Sequence, residues 1–387
     1  MLKRALWMVT AAVALVGCAA PIETPRAGAL PWLDDAFEAQ PNLVTVGKDE
    51  LFRLAPDLQA RLKDANVDGM SNPRKLKHIL TLIFGPDLRG FNYAAGHSTI
   101  ASETWQRKRG DCLSLTVLTY SVARALRMNA QMQEVRVPVL FDRRGQVDVV
   151  NQHVNVLFRG GARQWPDEAE AHDTVIDFEP EFSSGKPGHP LTEEAILARY
   201  YNNLGAEHLV AGRRSLAYAH FKAAIQADAA YAASYGNLAV LYRETGRLRE
   251  AEQLLVWAVK LSDPPDVPLH TLHEMLVAQG RTAEAERYAV AMRAARDRDP
   301  YYWVARGIDL LNQGDARRAI AALEHAREMS NGFDEVHRYL ALAYWRAGEP
   351  LKARQELDVL VASGDDVGAS KVRRKIKART VEPPPPS

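Results

Sequence analysis

The chain has 387 residues, 49 of them Lys or Arg and 48 Asp or Glu, for a net charge of +1. That balance, with no basic tract interleaved with aromatics, excludes a nucleic-acid-binding surface of the usual electrostatic kind. The length predicts two or three domains. Two cysteines are present, Cys18 and Cys112, and they fall in very different surroundings.

Residues 1–18 read as an export signal. Lys3 and Arg4 give a positive start, and Ala5 to Ala14 is apolar but too short to span a bilayer, which needs about 20 apolar residues. Leu15-Val16-Gly17-Cys18 resembles a bacterial lipobox, which makes Cys18 the expected lipidation site. Several acyl chains make a stable anchor, because each buried methylene adds about 0.8 kcal/mol. Ala19 stands where aspartate would resemble an inner-membrane retention signal, so a lipid-anchored, periplasm-facing position on the outer membrane is expected. Residues 19–40, with Pro21, Pro25, Gly28 and Pro31, read as a linker.

A first domain is expected over 41–190. At its centre, Leu115, Leu118, Val122 and Leu126 recur at helical spacing, predicting a helix from about Cys112 with Asp111 as N-cap. A cysteine in a first helical turn faces backbone N–H groups and the positive end of the helix dipole, which favour a thiolate. The same groups suit an oxyanion at an attacked carbonyl. Arg107, Lys108 and Arg109 add positive charge nearby. Once Cys18 is acylated, Cys112 has no disulfide partner in the chain, and an oxidising periplasm leaves burial or catalysis as reasons for it to persist.

Downstream, residues 153–158 alternate, with Val154, Val156 and Phe158 on one face and His153, Asn155 and Leu157 on the other. Residues 174–180 form a second short strand carrying Asp177. An antiparallel pair with His153 opposite Asp177 centres on residue 165, inside a Gly-rich loop, and residues directly opposite share a face. Aspartate would then orient imidazole, and imidazole would reach the thiol. Each residue also has a structural reading: buried filler for Cys112, a core histidine for His153, a turn cap for Asp177. Asp142-Arg143-Arg144-Gly145 reads as a hairpin turn, and His97 and His172 lack metal-ligand spacing, so no metal or cofactor is expected.

A cysteine at a helix start, then histidine and aspartate on successive strands, resembles the transglutaminase-like superfamily, related in its core to papain-like proteases. The resemblance covers about 90–180 and rests on Tyr93, Thr99-Ile100-Ala101, Arg109-Gly110-Asp111-Cys112, His153 and Val175-Ile176-Asp177. The Cys-Leu-Ser-Leu-Thr continuation looks like bacterial members joined to tetratricopeptide repeats, although asparagine often precedes the cysteine there. It implies Cys112 as nucleophile, His153 as general base and acid, and Asp177 as the orienter. Gln106 is a candidate oxyanion donor in papain fashion and equally a residue on a solvated helix face.

Over 198–367 the chain repeats itself. Gly212, Gly246, Gly280, Gly314 and Gly348 are 34 residues apart, and Ala217, Ala251, Ala285, Ala319 and Ala353 follow in step. Glycine makes each turn and alanine lets paired helices approach closely, so five units of an α-solenoid are predicted. With Leu204, Gly205, Phe221 and Ala224 in the first unit, and Tyr235, Tyr242 and Ala258 in the second, these units resemble tetratricopeptide repeats. The third unit fits least well, with His273 and Met292 where small residues are usual. Asn202, Asn203, Asn237, Arg243, Tyr301, Arg338 and Trp345 are expected on or near the concave surface as partner-binding candidates. Residues 368–387 read as a basic, Pro-rich tail, its cations on the solvated face of a last helix.

The expected architecture is an α+β transglutaminase-like (papain-like) domain followed by an all-α tetratricopeptide-repeat solenoid. Its expected function is hydrolysis of an amide bond in a protein or peptide substrate through an acyl-thioester on Cys112. Hydrolysis is preferred to transamidation because water is abundant and no amine pocket is legible. The alternative is a non-catalytic scaffold lipoprotein that binds a protein partner through its repeats.

Overall fold

A computed structural model describes residues 30–65, 67, 70–85, 90–94, 96–135, 141–144, 147–150, 153–160, 173–178, 188–262, 265–330 and 334–379. The export signal with Cys18, the loop at 161–172 with His172, and the Pro-rich end from 380 lie outside the described residues.

The N-terminal region is α+β. It runs through α1 (Lys48–Leu51), α2 (Pro56–Asp64), α3 (Asn72–Phe84), β1 (Asn92–Tyr93), α4 (Ala101–Arg107), β2 (Arg109–Gly110) and α5 (Cys112–Ala125). The strands β3 (Ala130–Val135), β4 (Phe141–Arg144), β5 (Val147–Val150), β6 (His153–Phe158), β7 (Thr174–Ile176) and β8 (His189–Leu191) follow. Four of them form an antiparallel sheet in the order β7-β6-β3-β8. β4 and β5 pair as a hairpin with Arg144 opposite Val147, so Asp142, Arg143 and Arg144, expected in its turn, lie on the strand instead, and Gly145 lies outside the described residues.

α5 is buried along almost its whole length and packs on β3 and β6. Its apolar side chains enter one core with Leu51, Phe52 and Leu58 of the first helices. Val154 joins that core, while Val156 and Phe158 join a smaller cluster with Leu76 and Ala123. The strand alternation therefore sends its valines under the helix.

The repeats are stacked helical hairpins: α6 (Glu193–Val210) with α7 (Arg214–Ala227), α8 (Ala232–Glu244) with α9 (Leu248–Leu261), and α10 (Asp266–Ala278) with α11 (Thr282–Arg298). Then come α12 (Pro300–Asn312) with α13 (Ala316–Ser330), and α14 (Asp334–Arg346) with α15 (Pro350–Ala362). The turn glycines Gly212, Gly246, Gly280, Gly314 and Gly348 all have φ between +71° and +85°, a left-handed conformation that penalises any Cβ. A Cβ on these glycines would meet nothing within 4 Å, so backbone conformation alone demands the residue. Gly205 is different: a Cβ there would sit 2.5 Å from the Phe221 ring, so its role is close helix approach. The five in-step alanines are all buried.

Three expected boundaries move. The solenoid starts at Glu193 rather than 198, since Thr192 caps α6 by accepting from the Ala195 N–H at 3.1 Å. It also continues past 367 into α16 (Asp366–Arg379), whose Ala369 and Val372 pack on Ala341, Leu357 and Leu360. A stack of hairpins leaves an apolar face at its end, and α16 covers it, with Arg373, Arg374 and Lys375 exposed.

The supposed linker is the largest correction. From residue 30 onward it is bound to the repeats: Leu30 and Phe37 are buried in the core of the first repeats, and residues 35–37 form a single 3-10 turn. Phe37 stacks on Tyr218 at 4.7 Å and on Tyr242 at 5.7 Å. Burying two such side chains adds about 2 kcal/mol each, which composition read as linker does not reveal.

Candidate functional site

The turn into α5 explains the Gly-Asp-Cys run. β2 pairs in parallel with β1, placing Gly110 where a Cβ would lie 2.8 Å from the Ser114 Cβ. Asp111 is the N-cap. Its Oδ1 accepts from the Ser114 N–H at 2.8 Å and from the Ser114 hydroxyl at 2.6 Å, and its Oδ2 accepts from the Ser98 hydroxyl at 2.5 Å. Cys112 is therefore the first residue of a firmly capped helix, as expected, at the positive end of its dipole.

One turn along, the Thr116 hydroxyl donates to the Val154 carbonyl at 3.2 Å, pinning the helix to the residue next to His153. The start of α5 is thus held near the start of β6. His153 and Asp177 meet directly, with Nε2 2.7 Å from Oδ1 and 2.8 Å from Oδ2. Both side chains are buried, at 0% and 4% exposure.

The strand register differs from the expected one. Leu157 lies opposite Val175 and Val156 opposite Ile176, so the pair centres on 166 and Asp177 continues it opposite Asn155, not His153. Because β side chains alternate with period two, the slip keeps Asp177 on the histidine face. Asp177 reaches His153 along a diagonal and also accepts from Asn155 Nδ2 at 2.8 Å. Gln133 Nε2 donates to Asn155 Oδ1 at 2.8 Å, and Gln133 Oε1 accepts from the Gly188 N–H at 2.8 Å. This chain of amides fixes Asp177 from behind. Its only sequence signal is that Asn155 lies two residues after His153.

The thiol is enclosed. Cys112 is only 9% exposed and shares its core with Leu197 and Tyr200 of α6 and Ala224 of α7. Tyr231, just before α8, lies under the Arg199 guanidinium at 4.3 Å. Burial holds the Tyr231 phenol well above its usual range, with Arg199 opposing. Two of the three cations before the cysteine have other partners. Arg107 pairs with Glu103 and contacts His97, and the Lys108 ammonium sits over the Trp105 and Phe91 rings. Burial and repulsion from Arg61 pull Lys108 down to about 8. Gln106 is exposed, as the solvated-face reading of that residue has it. Two cavities, of about 530 and 730 Å³, are lined by Tyr120, Gln131 and Arg159 and by Phe52, Gln59 and Arg124, away from the three residues. Among the described residues no cluster of metal-binding side chains occurs.

The groove candidates divide. Asn237 Nδ2 donates to Asn202 Oδ1 at 2.9 Å, joining the first two repeats. Asn203 donates to the Ser98 hydroxyl at 2.9 Å, across the contact between the two regions. Arg338 Nε donates to the Asp365 carboxylate at 2.6 Å in a largely buried ion pair against α16. Arg243, Tyr301 and Trp345 are half-buried.

The repeat geometry has a counterpart among known families. Residues 310–375 match the tetratricopeptide repeat family. No curated protein matches the chain. Similar solved structures include YrrB, described as a TPR protein with an unusual peptide-binding site, at 18% identity over 46% of this chain and 92% of that one, TM-score 0.25. MamA MSR-1 is 23% identical over 46% of this chain and 97% of its own, TM-score 0.22. The Pseudomonas aeruginosa pilF structure is 16% identical over 48% and 93%, TM-score 0.26. The C-terminal half of the chain is an array of tetratricopeptide-like helical repeats.

Proposed function

We propose that this protein is a lipid-anchored scaffold, held by Cys18 on the periplasmic side of the outer membrane, whose repeats bind a protein or peptide partner. The observation that carries the reading is the stack of hairpins from α6 to α15, closed by α16 and built on turn glycines with positive φ. The burial of Cys112 under the first repeat supports binding over catalysis. Photocrosslinkers placed at Arg243 and Trp345 test it in cells. A discrete protein adduct from both positions, and none from Arg374 on the covering helix, is expected. The same background smear from all three would sink the reading. Separately, Cys18→Ser is expected to release the chain from membranes, and retention after a salt wash would refute the anchor.

The buried His153–Asp177 pair favours a second reading, a cysteine hydrolase of transglutaminase-like, papain-related type. In it the Cys112 thiolate attacks an amide carbonyl, the C–S bond forms as the C–N bond breaks, and the amine leaves with a proton from His153. Water, giving its proton back to His153, then releases the acid and restores the thiol; an amine acceptor would cross-link instead. Asp177 holds the imidazole and stabilises its charged form. A thiol-directed probe applied to the folded protein, with mass spectrometry for an acyl-enzyme, decides this reading. Labelling of Cys112 only on unfolding would leave the scaffold alone.

A further inference from the structure

The segment bound to the first repeats is held in the way a peptide ligand is held. Two repeat side chains contact its backbone: the Leu33 N–H donates to the Tyr218 hydroxyl at 2.9 Å, and the Tyr242 hydroxyl donates to the Pro31 carbonyl at 2.7 Å. Two more contacts read side chains. Asp34 accepts from the Tyr218 hydroxyl at 2.8 Å and from Lys222 Nζ at 2.6 and 2.8 Å. Phe37 lies against the stacked rings of Tyr218 and Tyr242, which are 6.3 Å apart and inclined by only 20°. One ammonium, two phenols and an apolar wall thus recognise a carboxylate and, three residues on, a phenyl ring.

The rings of Tyr218 and Tyr242 also belong to the core of the first repeats, and it is their hydroxyls and the Lys222 ammonium that they turn to residues 30–39. The positions equivalent to Tyr218 and Lys222 in the next repeat, 34 residues on, are Glu252 and Val256, so the pattern belongs to one place in the array. Backbone contacts plus a few side-chain pockets are the usual economy of linear-motif recognition. We propose that Tyr218, Tyr242 and Lys222 form a docking site for a short acidic-aromatic peptide of the form Asp-x-x-Phe in a partner protein, and that residues 30–39 occupy it in cis. This rests on the reading that the repeats bind protein, and names one site and one ligand chemistry for it. A tethered segment competes at an effective concentration on the order of millimolar, so a partner enters by displacing it.

The test uses the full chain and a fluorescent peptide of residues 30–39. In a chain carrying Asp34→Lys and Phe37→Ala the site is vacated, and the peptide is expected to bind at least tenfold more tightly than to the unaltered chain. Adding Lys222→Glu to the vacated chain should weaken binding at least fivefold, with a peptide bearing Asp34→Lys recovering part of the loss. A reduced peptide keeping only Pro31, Leu33, Asp34 and Phe37 on an alanine background should still bind. No binding to the folded, vacated chain overturns the proposal. Binding of the full segment but not the reduced peptide also overturns it, leaving a purely structural clasp. If the vacated chain fails to fold, hydrogen exchange of the Leu33 amide in the unaltered protein decides: millimolar peptide should accelerate it, and unchanged exchange refutes displacement. Crosslinks at Arg243 and Trp345 that persist when peptide binding fails would sink this site alone, not the scaffold reading.

Discussion

Asn203, on the first helix of the repeats, donates a hydrogen bond to the Ser98 hydroxyl 2.9 Å away, in the loop before α4. The Ser98 hydroxyl in turn donates to Asp111, the N-cap of the cysteine helix, and the Ser98 backbone N–H donates to Glu207 at 3.1 Å. The repeat array and the helix that carries Cys112 are thereby joined through one buried hydroxyl.

Removing that hydroxyl leaves two polar groups without it. Ser98→Ala is expected to destabilise the chain by about 1–3 kcal/mol, the cost of unsatisfied buried partners. Asn203→Ala, which removes a single bond from Ser98, should cost about 1 kcal/mol. Chemical denaturation of both variants checks the order. Equal and negligible effects would show that the joint carries no stability.

The two kinds of repeat glycine should respond differently. Gly212→Ala forces a Cβ into a left-handed conformation with open space around it, at about 1–2 kcal/mol. Gly205→Ala drives a methyl group into the Phe221 ring and should cost about 1–3 kcal/mol through overpacking. A double variant, Gly205→Ala with Phe221→Leu, is expected to recover stability. No comparable rescue exists for Gly212, because no neighbour causes its strain. Thermal melts of the series separate the two mechanisms.

His153 and Asp177 are coupled by burial. Asp177→Asn keeps an acceptor for the imidazole and should cost less than His153→Ala, which takes the imidazole away from a buried carboxylate. Breaking a buried pair from one side costs about 3–5 kcal/mol. Equilibrium unfolding of both variants tests this whether or not the site has activity. A His153→Ala variant as stable as the unaltered chain would refute the coupling.

Two histidines of the first repeat give a pH dependence. Burial, then the charges of His220 and Arg213, pull His208 down to about 4, and burial also lowers His220. Between about pH 4 and the ordinary histidine value near 6.5 the unfolded chain binds more protons than the folded one, so stability rises with pH across that window. Asp34 acts in the same direction: its hydrogen bond from Lys222 holds its carboxyl below the usual range, and the stability it adds is lost as the pH falls through that depressed value. His208→Gln with His220→Gln should flatten the pH 4–6.5 part of the profile. An unchanged slope would place its origin elsewhere.

What the sequence revealed follows from where its information is local. The 34-residue glycine period is a backbone requirement repeated in every turn, so it reads directly and the hairpins fall where it puts them. The helix at Cys112 and its Asp111 cap are equally local. The register of β6 with β7 depends on a loop whose length admits more than one pairing, so Asp177 opposite Asn155 was not legible, although strand parity kept it beside His153. The burial of Cys112 by α6 and the docking of residues 30–39 are long-range packing events. Pro31 and Gly28 signal a break in regular structure, and nothing in that composition shows that Phe37 has two tyrosines to rest on.

The docked segment also sets a length. On the proposed anchor, only residues 19–29 separate the acylated cysteine from the fixed Leu30, and a fully extended chain covers about 3.3–3.6 Å per residue. The leash is then at most roughly 40 Å long, comparable with the thickness of the bilayer it hangs from. On that anchor, and while the segment stays docked, the first two repeats would be confined to a shallow layer at the membrane surface. Undocking it would lengthen the leash by some ten residues and let the array swing toward more distant partners, so the reach of the protein would depend on whether its own Phe37 is in place.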